Sequence, residues 1–337
     1  MNKSKNKLKD GNRKTMKLIR RIASVLITVI IFTFQNQGIF AQAQNDQSAN
    51  GFRISPVRNE LTIEKGTSQT VSIMVENPSS LPIKAAALIN DFQASDSEDG
   101  QPRILLDNTF APNHSLKRLV SNIPDTDIAP GGRKEVKVTI TIPTNAVAGG
   151  YYGAVRFVPA ENKKSANIAL TASVGSIFLV NVPGNIKEHL ELVQFTAAVN
   201  GSGKKIITSG KVSIITRLKN DGDTHEKPFG KIQVKNSKGV VVELAEINNT
   251  DPQANILPDS TRKFETTLTN KKWFGRYTVT ASLGYNPSDG DLINAKTTFW
   301  YIPAWMVAVF SVLVLVLVFA AYMLYRKIRV RAKRKHR

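Results

Sequence analysis

The 337-residue sequence predicts an all-β protein made of two tandem immunoglobulin-like β-sandwiches, followed by one C-terminal transmembrane α-helix. Three observations lead there. Residues 67–75 and 134–142 alternate apolar and polar side chains with period two, the mark of strands with one buried face. Turn clusters such as Asn77-Pro78-Ser79-Ser80, Pro130-Gly131-Gly132 and Asn220-Asp221-Gly222-Asp223 punctuate these runs, and nothing between the two ends of the chain keeps a helical apolar period. The final apolar run, residues 304–325, has 22 residues without a charge and as a helix reaches roughly 33 Å, enough to cross a bilayer core.

From the start of the chain, residues 1–21 hold nine Lys or Arg against one acid, Asp10. An apolar run of 13 residues follows at 22–34, then polar residues and Ala41-Gln42-Ala43. This is the order of a secretory signal peptide, so residues 1–43 read as a leader with Ala41 and Ala43 at its cleavage site. The run is short for a spanning helix. Residues 44–51 are polar and read as a flexible spacer.

Sandwich 1 is expected over 52–182 and sandwich 2 over 186–299. The break falls at Val182-Pro183-Gly184-Asn185, because a Pro-Gly pair after an apolar strand ends pairing; residues 183–185 are the linker. A weak internal repeat supports two copies of one unit. Residues 129–159 align with 257–287, matching Arg133-Lys134 to Arg262-Lys263 and Gly150 to Tyr152 with Gly275 to Tyr277. Residues 72–83 echo 213–230, each a strand running into an Asn-containing turn. In immunoglobulin-like sandwiches a Tyr near the start of the sixth strand bonds back to the backbone at a corner, and Tyr152 and Tyr277 are the candidates for that role.

At the far end, Trp300, Tyr301 and Trp305 gather before the apolar run and Tyr322 and Tyr325 at its close, where amphipathic rings settle at membrane interfaces. The tail 326–337 carries eight Lys or Arg, beginning with Arg326, Lys327, Arg329 and Arg331, and no acid. The positive-inside rule places that tail in the cytoplasm and the body outside, so a single-pass cell-membrane protein is expected. The net charge of +20 therefore resolves into +8 in the leader, +8 in the tail and +4 over the rest. It reports topology and attraction to anionic inner-leaflet lipid, and it weighs against a nucleic-acid partner. With no Cys there are neither disulfides nor thiolate metal sites, which for an exported protein favours a bacterial surface.

Chemistry-bearing patterns are sparse. The histidines, His114, His189, His225 and His336, have no partner at metal-ligand spacing and read as isolated surface residues. No nucleophile elbow, phosphate loop or dinucleotide fingerprint is present, so no catalytic residue is nominated, no cofactor is expected and the chain is read as a non-enzyme. Asp96-Ser97-Glu98-Asp99, Asp221-Gly222-Asp223 and Asp289-Gly290-Asp291 are read first as turns and second as calcium ligands, each supplying only two or three of the six to eight oxygens that calcium takes. Among the aromatic residues, Tyr151 and Trp273 fall out of phase with the corner positions and are the candidates for an exposed ligand-binding surface. A second mode of recognition is strand addition at an open sheet edge, with Lys163 and Lys164 placed to guard one such edge.

Taken together, the leader, residues 52–77 (FRISPVRNELTIEKGTSQTVSIMVEN), residues 149–157 (GGYYGAVRF), a second sandwich containing residues 273–283 (WFGRYTVTASL), one membrane helix and a basic tail resemble the WxL-interacting proteins of Gram-positive surfaces. The resemblance covers most of the chain from Phe52 onward. It implies a first domain that binds peptidoglycan and a second that binds host or partner proteins. The opening strands are also similar to the sandwich of periplasmic pilus chaperones, which are soluble. The expected function is thus a membrane-anchored surface binding or scaffold protein, in contact with the bilayer, a cell-wall polymer and other surface or exported proteins. The alternative is a membrane-tethered chaperone or assembly factor that holds exported subunits by strand addition.

Overall fold

The computed structural model describes residues 51–106, 109–160, 173–270, 273–285 and 292–335, with side chains as far as Arg326. The Ala41 and Ala43 cleavage site, the spacer up to residue 50, Lys163, Lys164 and the Asp289-Gly290-Asp291 turn lie outside the described residues.

Sandwich 1 faces two sheets across a core. One sheet orders β1 (Arg53–Ser55), β3 (Ser68–Glu76) and β7 (Arg133–Thr141), all antiparallel. The other orders β2 (Arg58–Thr62), β9 (Val174–Val182), β8 (Gly149–Pro159), β4 (Ile83–Ala94) and β5 (Pro102–Ile104), with β6 (Thr126–Ile128) also on β4. Its β2–β9 pair is parallel. Ile73 and Val75 from β3, Val136, Val138 and Ile140 from β7, and Val155, Phe157, Phe178 and Val180 from the facing sheet form the core. The alternation of β3 and β7 has the cause expected of it: one face meets this core and the other meets water.

Strand β8 breaks that alternation. Nearly every residue from Gly149 to Val158 is buried, and the first part of its outer face, Gly150 to Ala154, lies under sandwich 2. Burial on both faces removes the pressure for polar residues at alternate positions, which is why GGYYGAVRFV reads as a continuous apolar run.

Sandwich 2 repeats the plan. Its first sheet orders β11 (Ser202–Gly203), β10 (Leu190–Val199), β13 (Ser213–Asn220) and β16 (Ser260–Thr267). Its second orders β12 (Ile206–Ile207), β18 (Ile293–Tyr301), β17 (Gly275–Gly284), β14 (Phe229–Asn236) and β15 (Val241–Ile247). The β12–β18 pair is parallel, as β2–β9 is in sandwich 1.

The correspondence extends to side chains. Asn77, just after β3, donates through Nδ2 to Leu81 O at 2.7 Å and Ile128 O at 3.2 Å, and accepts Ser79 N at its Oδ1. Asn220, at the end of β13, donates to Thr224 O at 2.7 Å and Ile256 O at 2.9 Å, and accepts Gly222 N. Both side chains are fully buried, and each ties the turn after its strand to the segment that leads into β7 or β16.

Trp273, Tyr277 and Phe299 meet in the core of sandwich 2, with Trp273 edge-on to Tyr277 at 4.9 Å between centroids. The Tyr277 hydroxyl donates to Phe274 O at 2.9 Å and accepts Phe274 N at 2.8 Å. Tyr277→Phe leaves both backbone groups without that partner. It should cost about 1–2 kcal/mol and lower the melting temperature by about 2–8 °C, measured by circular dichroism.

After β18, two residues lead into α1 (Ala304–Lys335). Residues Ala304–Arg326 form one helix long and apolar enough to cross a membrane, and none of its apolar stretch is buried in the protein. Trp305, Tyr322 and Tyr325 are exposed on it. Trp300 and Tyr301, expected as interface anchors beside them, close β18 just before the helix; Trp300 is exposed there and Tyr301 packs against the core of sandwich 2. β18 thus ends at Tyr301, two residues past the expected limit of the second sandwich. The helical backbone continues through Arg326, Lys327, Arg329 and Arg331.

Candidate functional site

The described residues bring chemistry together at the joint between the sandwiches. Its centre is apolar: Phe92, Tyr152, Ala154 and Leu179, on the outer face of the β8-containing sheet, are sealed by Leu257 of sandwich 2. Polar contacts ring this centre.

On one side the hairpin between β4 and β5 reaches across. Glu98, at φ 58°, receives Arg217 through Nε at 2.6 Å and through its terminal nitrogen, while Glu98 O accepts Lys263 N at 2.8 Å from β16. The Arg217 hydrogen bonds hold the Glu98 carboxyl below its ordinary range. Gly100 lies against the Arg262 guanidinium so closely that a Cβ there would overlap it.

On the other side Gly150 N donates to Asp223 O at 2.9 Å. Asp223 itself holds Lys187 N, from the connection between the sandwiches, at 2.8 Å. A Cβ on Gly150 would overlap the Tyr152 hydroxyl, so this glycine leaves room for the Tyr152 ring to lie over β8 at the joint. A third contact joins β2 to sandwich 2: Glu60 pairs with both Arg58 and Lys227, and Arg58 also donates to Gln253 O at 3.0 Å. Burial raises the Glu60 carboxyl, but Lys227 and Arg58 more than offset this and leave it lowered.

Two clefts open at the joint. The larger, about 580 Å³, is walled by the end of β4, residues 111–114, the Asp221–Asp223 turn and residues 257–261. Asp91, fully buried on β4, builds one wall by accepting Ala111 N at 2.9 Å, Ser115 Oγ at 2.6 Å and Lys117 N at 2.8 Å. The smaller, about 330 Å³, is lined by Glu60, Leu61, Thr62, Asn181, Glu188, Thr224, His225 and Glu226. Burial pushes His225 down to about 4, with smaller effects from Glu60, Lys227 and Arg58. Burial also pushes Glu226 up to about 8, with Glu188 adding to it. The Oε1 atom of Glu226 and Oδ1 of Asn181 are buried without a hydrogen-bond partner. At neutral pH the site thus holds a neutral imidazole and a protonated carboxyl.

These positions correct several expectations. Tyr151 and Trp273, proposed as exposed ligand-binding rings, are 6% exposed and belong to the two cores. The corner role expected of Tyr152 falls to Tyr151, whose hydroxyl donates to Val147 O at 3.0 Å, while Tyr152 points into the joint and stands edge-on to His225. One residue of phase along β8 exchanges the two faces. His225, read as an isolated surface residue, is half-buried at the joint. Of the acidic clusters, Glu98 is bound by Arg217 and Asp221 by Lys219 at 2.7 Å; among the described residues no group of three or more His, Asp or Glu is arranged to hold a metal ion. No sequence motif marks Glu226 or Asn181.

No family model matches the chain, and no curated protein matches it. Solved structures similar to it include one from a study of a chaperone–tip adhesin complex in CFA/I fimbriae biogenesis, at 12% identity over 75% of this chain and 100% of that one, with a TM-score of 0.35. Another is the class 5 fimbriae chaperone CfaA, at 13% identity over 74% and 99%, with a TM-score of 0.34. The CupB2 chaperone of Pseudomonas aeruginosa is similar at 12% identity over 71% and 97%, with a TM-score of 0.28.

Proposed function

We propose that this chain is a non-enzymatic binding and scaffold protein of the WxL-interacting kind, held on a bacterial membrane by α1 with both sandwiches outside and the basic end of the helix in the cytoplasm. In this reading sandwich 1 grips a cell-wall polymer and sandwich 2 is available to surface or exported proteins. The observation that carries it is the coupling of the apolar helix to the sandwiches. Ile302 N donates to Ile207 O at 2.8 Å and Ala304 N to Thr208 O at 3.1 Å, so the segment entering α1 is stitched to β12. Force on the helix passes directly into the five-stranded sheet of sandwich 2, and the Glu98–Arg217 and Glu60–Lys227 contacts tie sandwich 2 to sandwich 1. That is the build of a spacer that holds recognition surfaces off a membrane.

A second reading, a membrane-tethered chaperone acting by strand addition, is favoured by β15. This strand ends its sheet, and Val241 and Leu244 are exposed along it, with Val240 exposed just before it, so an extended apolar segment of an exported subunit could pair there.

Co-sedimentation of the full chain in detergent micelles with purified cell-wall sacculi separates the two. The scaffold reading expects the protein in the pellet at physiological salt. Protein left in the supernatant, together with capture of an exported subunit that is lost on Leu244→Lys, would favour the chaperone.

A further inference from the structure

We propose that the smaller cavity at the joint, between β2, the end of β9 and residues Thr224–Glu226, is a binding site for a primary alkylammonium group. The cavity is rich in acceptors, and two of them are unpartnered. Glu226 is 5% exposed and its Oε1 has no partner; Asn181 Oδ1, from the neighbouring sandwich, has none either. Glu60, Thr62, Glu188 and Thr224 line the same space. Leaving two buried oxygens without hydrogen bonds costs about 1–3 kcal/mol each, and a ligand that brings only donors recovers it. An ammonium carries three donors, no acceptor and a positive charge, which matches this set.

The chain's own cations do not fill the role. Lys227 pairs with Glu60, and Arg58 with Glu60 and Gln253 O; the Arg58 Nε is buried without a partner, yet neither cation is bonded to Glu226. A hard metal ion is a poorer match, because it would take six or more oxygens in a closed shell. A volume of about 330 Å³ accommodates an ammonium with several methylenes of its stem, and Leu61 supplies apolar wall for them.

Binding of a cation beside Glu226 ionises it, so ligand uptake releases a proton. The charged and titratable groups around it are Glu60, Arg58 and Lys227 from one side, Glu188 from the connection between the sandwiches, His225 from its own segment and Tyr152 from β8. His225 is already neutral above about pH 4 and so supplies no proton at neutral pH. The proton lost is that of Glu226.

The test is calorimetric titration of the full chain in detergent micelles with Nα-acetyl-lysine amide at about pH 6.5, 7.5 and 8.5. The expected result is one saturable site whose affinity rises close to tenfold per pH unit below about pH 8, with close to one proton released at the lowest pH. Nα-acetyl-norleucine amide, the neutral counterpart, should not bind. E226Q keeps the shape of the protonated side chain; it should remove the pH dependence and weaken binding at least about tenfold at pH 8.5. Should E226Q not fold, N181A decides: it should weaken binding while leaving the pH dependence intact. No saturable binding up to about 10 mM, equal binding of the norleucine analogue, or pH-independent binding to the unaltered chain would overturn the proposal, and would mean that water alone occupies the cavity. Because the probe is soluble, the result is independent of whether the protein grips the cell wall.

Discussion

Asn220→Ala should lower the stability of sandwich 2 by about 3 kcal/mol and the melting temperature by about 6–12 °C. The side chain is fully buried and serves three backbone groups at once, Thr224 O, Ile256 O and Gly222 N. Alanine supplies none of these bonds and leaves a void where the amide sat. The cost reaches beyond stability, because Asn220 shapes the turn that carries Asp223, His225 and Glu226 into the joint. The Gly150–Asp223 contact should loosen with it, exposing the connection at 183–189 to limited proteolysis. Asn77→Ala, at the matching place in sandwich 1, should cost a similar amount while leaving that connection protected. A melting temperature within about 2 °C of the unaltered protein would show that these asparagines are not the hubs described here.

The second large effect is a dependence of stability on pH that is set by two neighbours with opposite shifts. Glu226 is raised from an ordinary 4.5 to about 8 in the folded protein, so its contribution is full below pH 4.5 and is lost as pH rises through 8. His225 is depressed from 6.5 to about 4, so its contribution is present above pH 6.5 and is lost as pH falls through 4. Between about pH 4.5 and 6.5 the two slopes cancel. Stability should therefore be flat across that window and decline by about 1–2 kcal/mol between pH 6.5 and 8, the larger figure holding if solvent in the cleft screens little. Glu226→Gln, which cannot ionise, should abolish the decline and leave the variant more stable than the unaltered chain at pH 9. Denaturant midpoints measured at half-unit steps of pH decide it; a decline that persists in the Gln variant would assign the effect to other groups.

Much of this architecture is legible in the sequence, and the places where it is not share one physical cause. The alternating strands β3 and β7 announce themselves because water covers one of their faces. The pairing of residues 72–83 with 213–230 is visible because both copies need an asparagine after the strand, and the structure gives Asn77 and Asn220 the same duty. The apolar helix is legible from its length and lack of charge. What escapes is whatever the joint decides. Alternation cannot tell which of Tyr151 and Tyr152 faces the core when both faces of β8 are covered, and an aromatic pair then reads as surface. Trp273 looks free only because the sheet that buries it comes from Phe299, 26 residues later. The pairing of Glu98 with Arg217 joins residues 119 positions apart, which no local pattern encodes.

The most direct test of the account concerns sidedness. The chain has no cysteine, so single cysteines report position without background. Lys238→Cys places one on an exposed turn of sandwich 2, and His336→Cys places one beyond the basic end of α1. On intact cells a membrane-impermeant maleimide should label the cysteine at 238 and should reach the one at 336 only after the membrane is opened. Labelling at 336 on intact cells, with 238 protected, would contradict an extracytoplasmic binding protein anchored by its last helix.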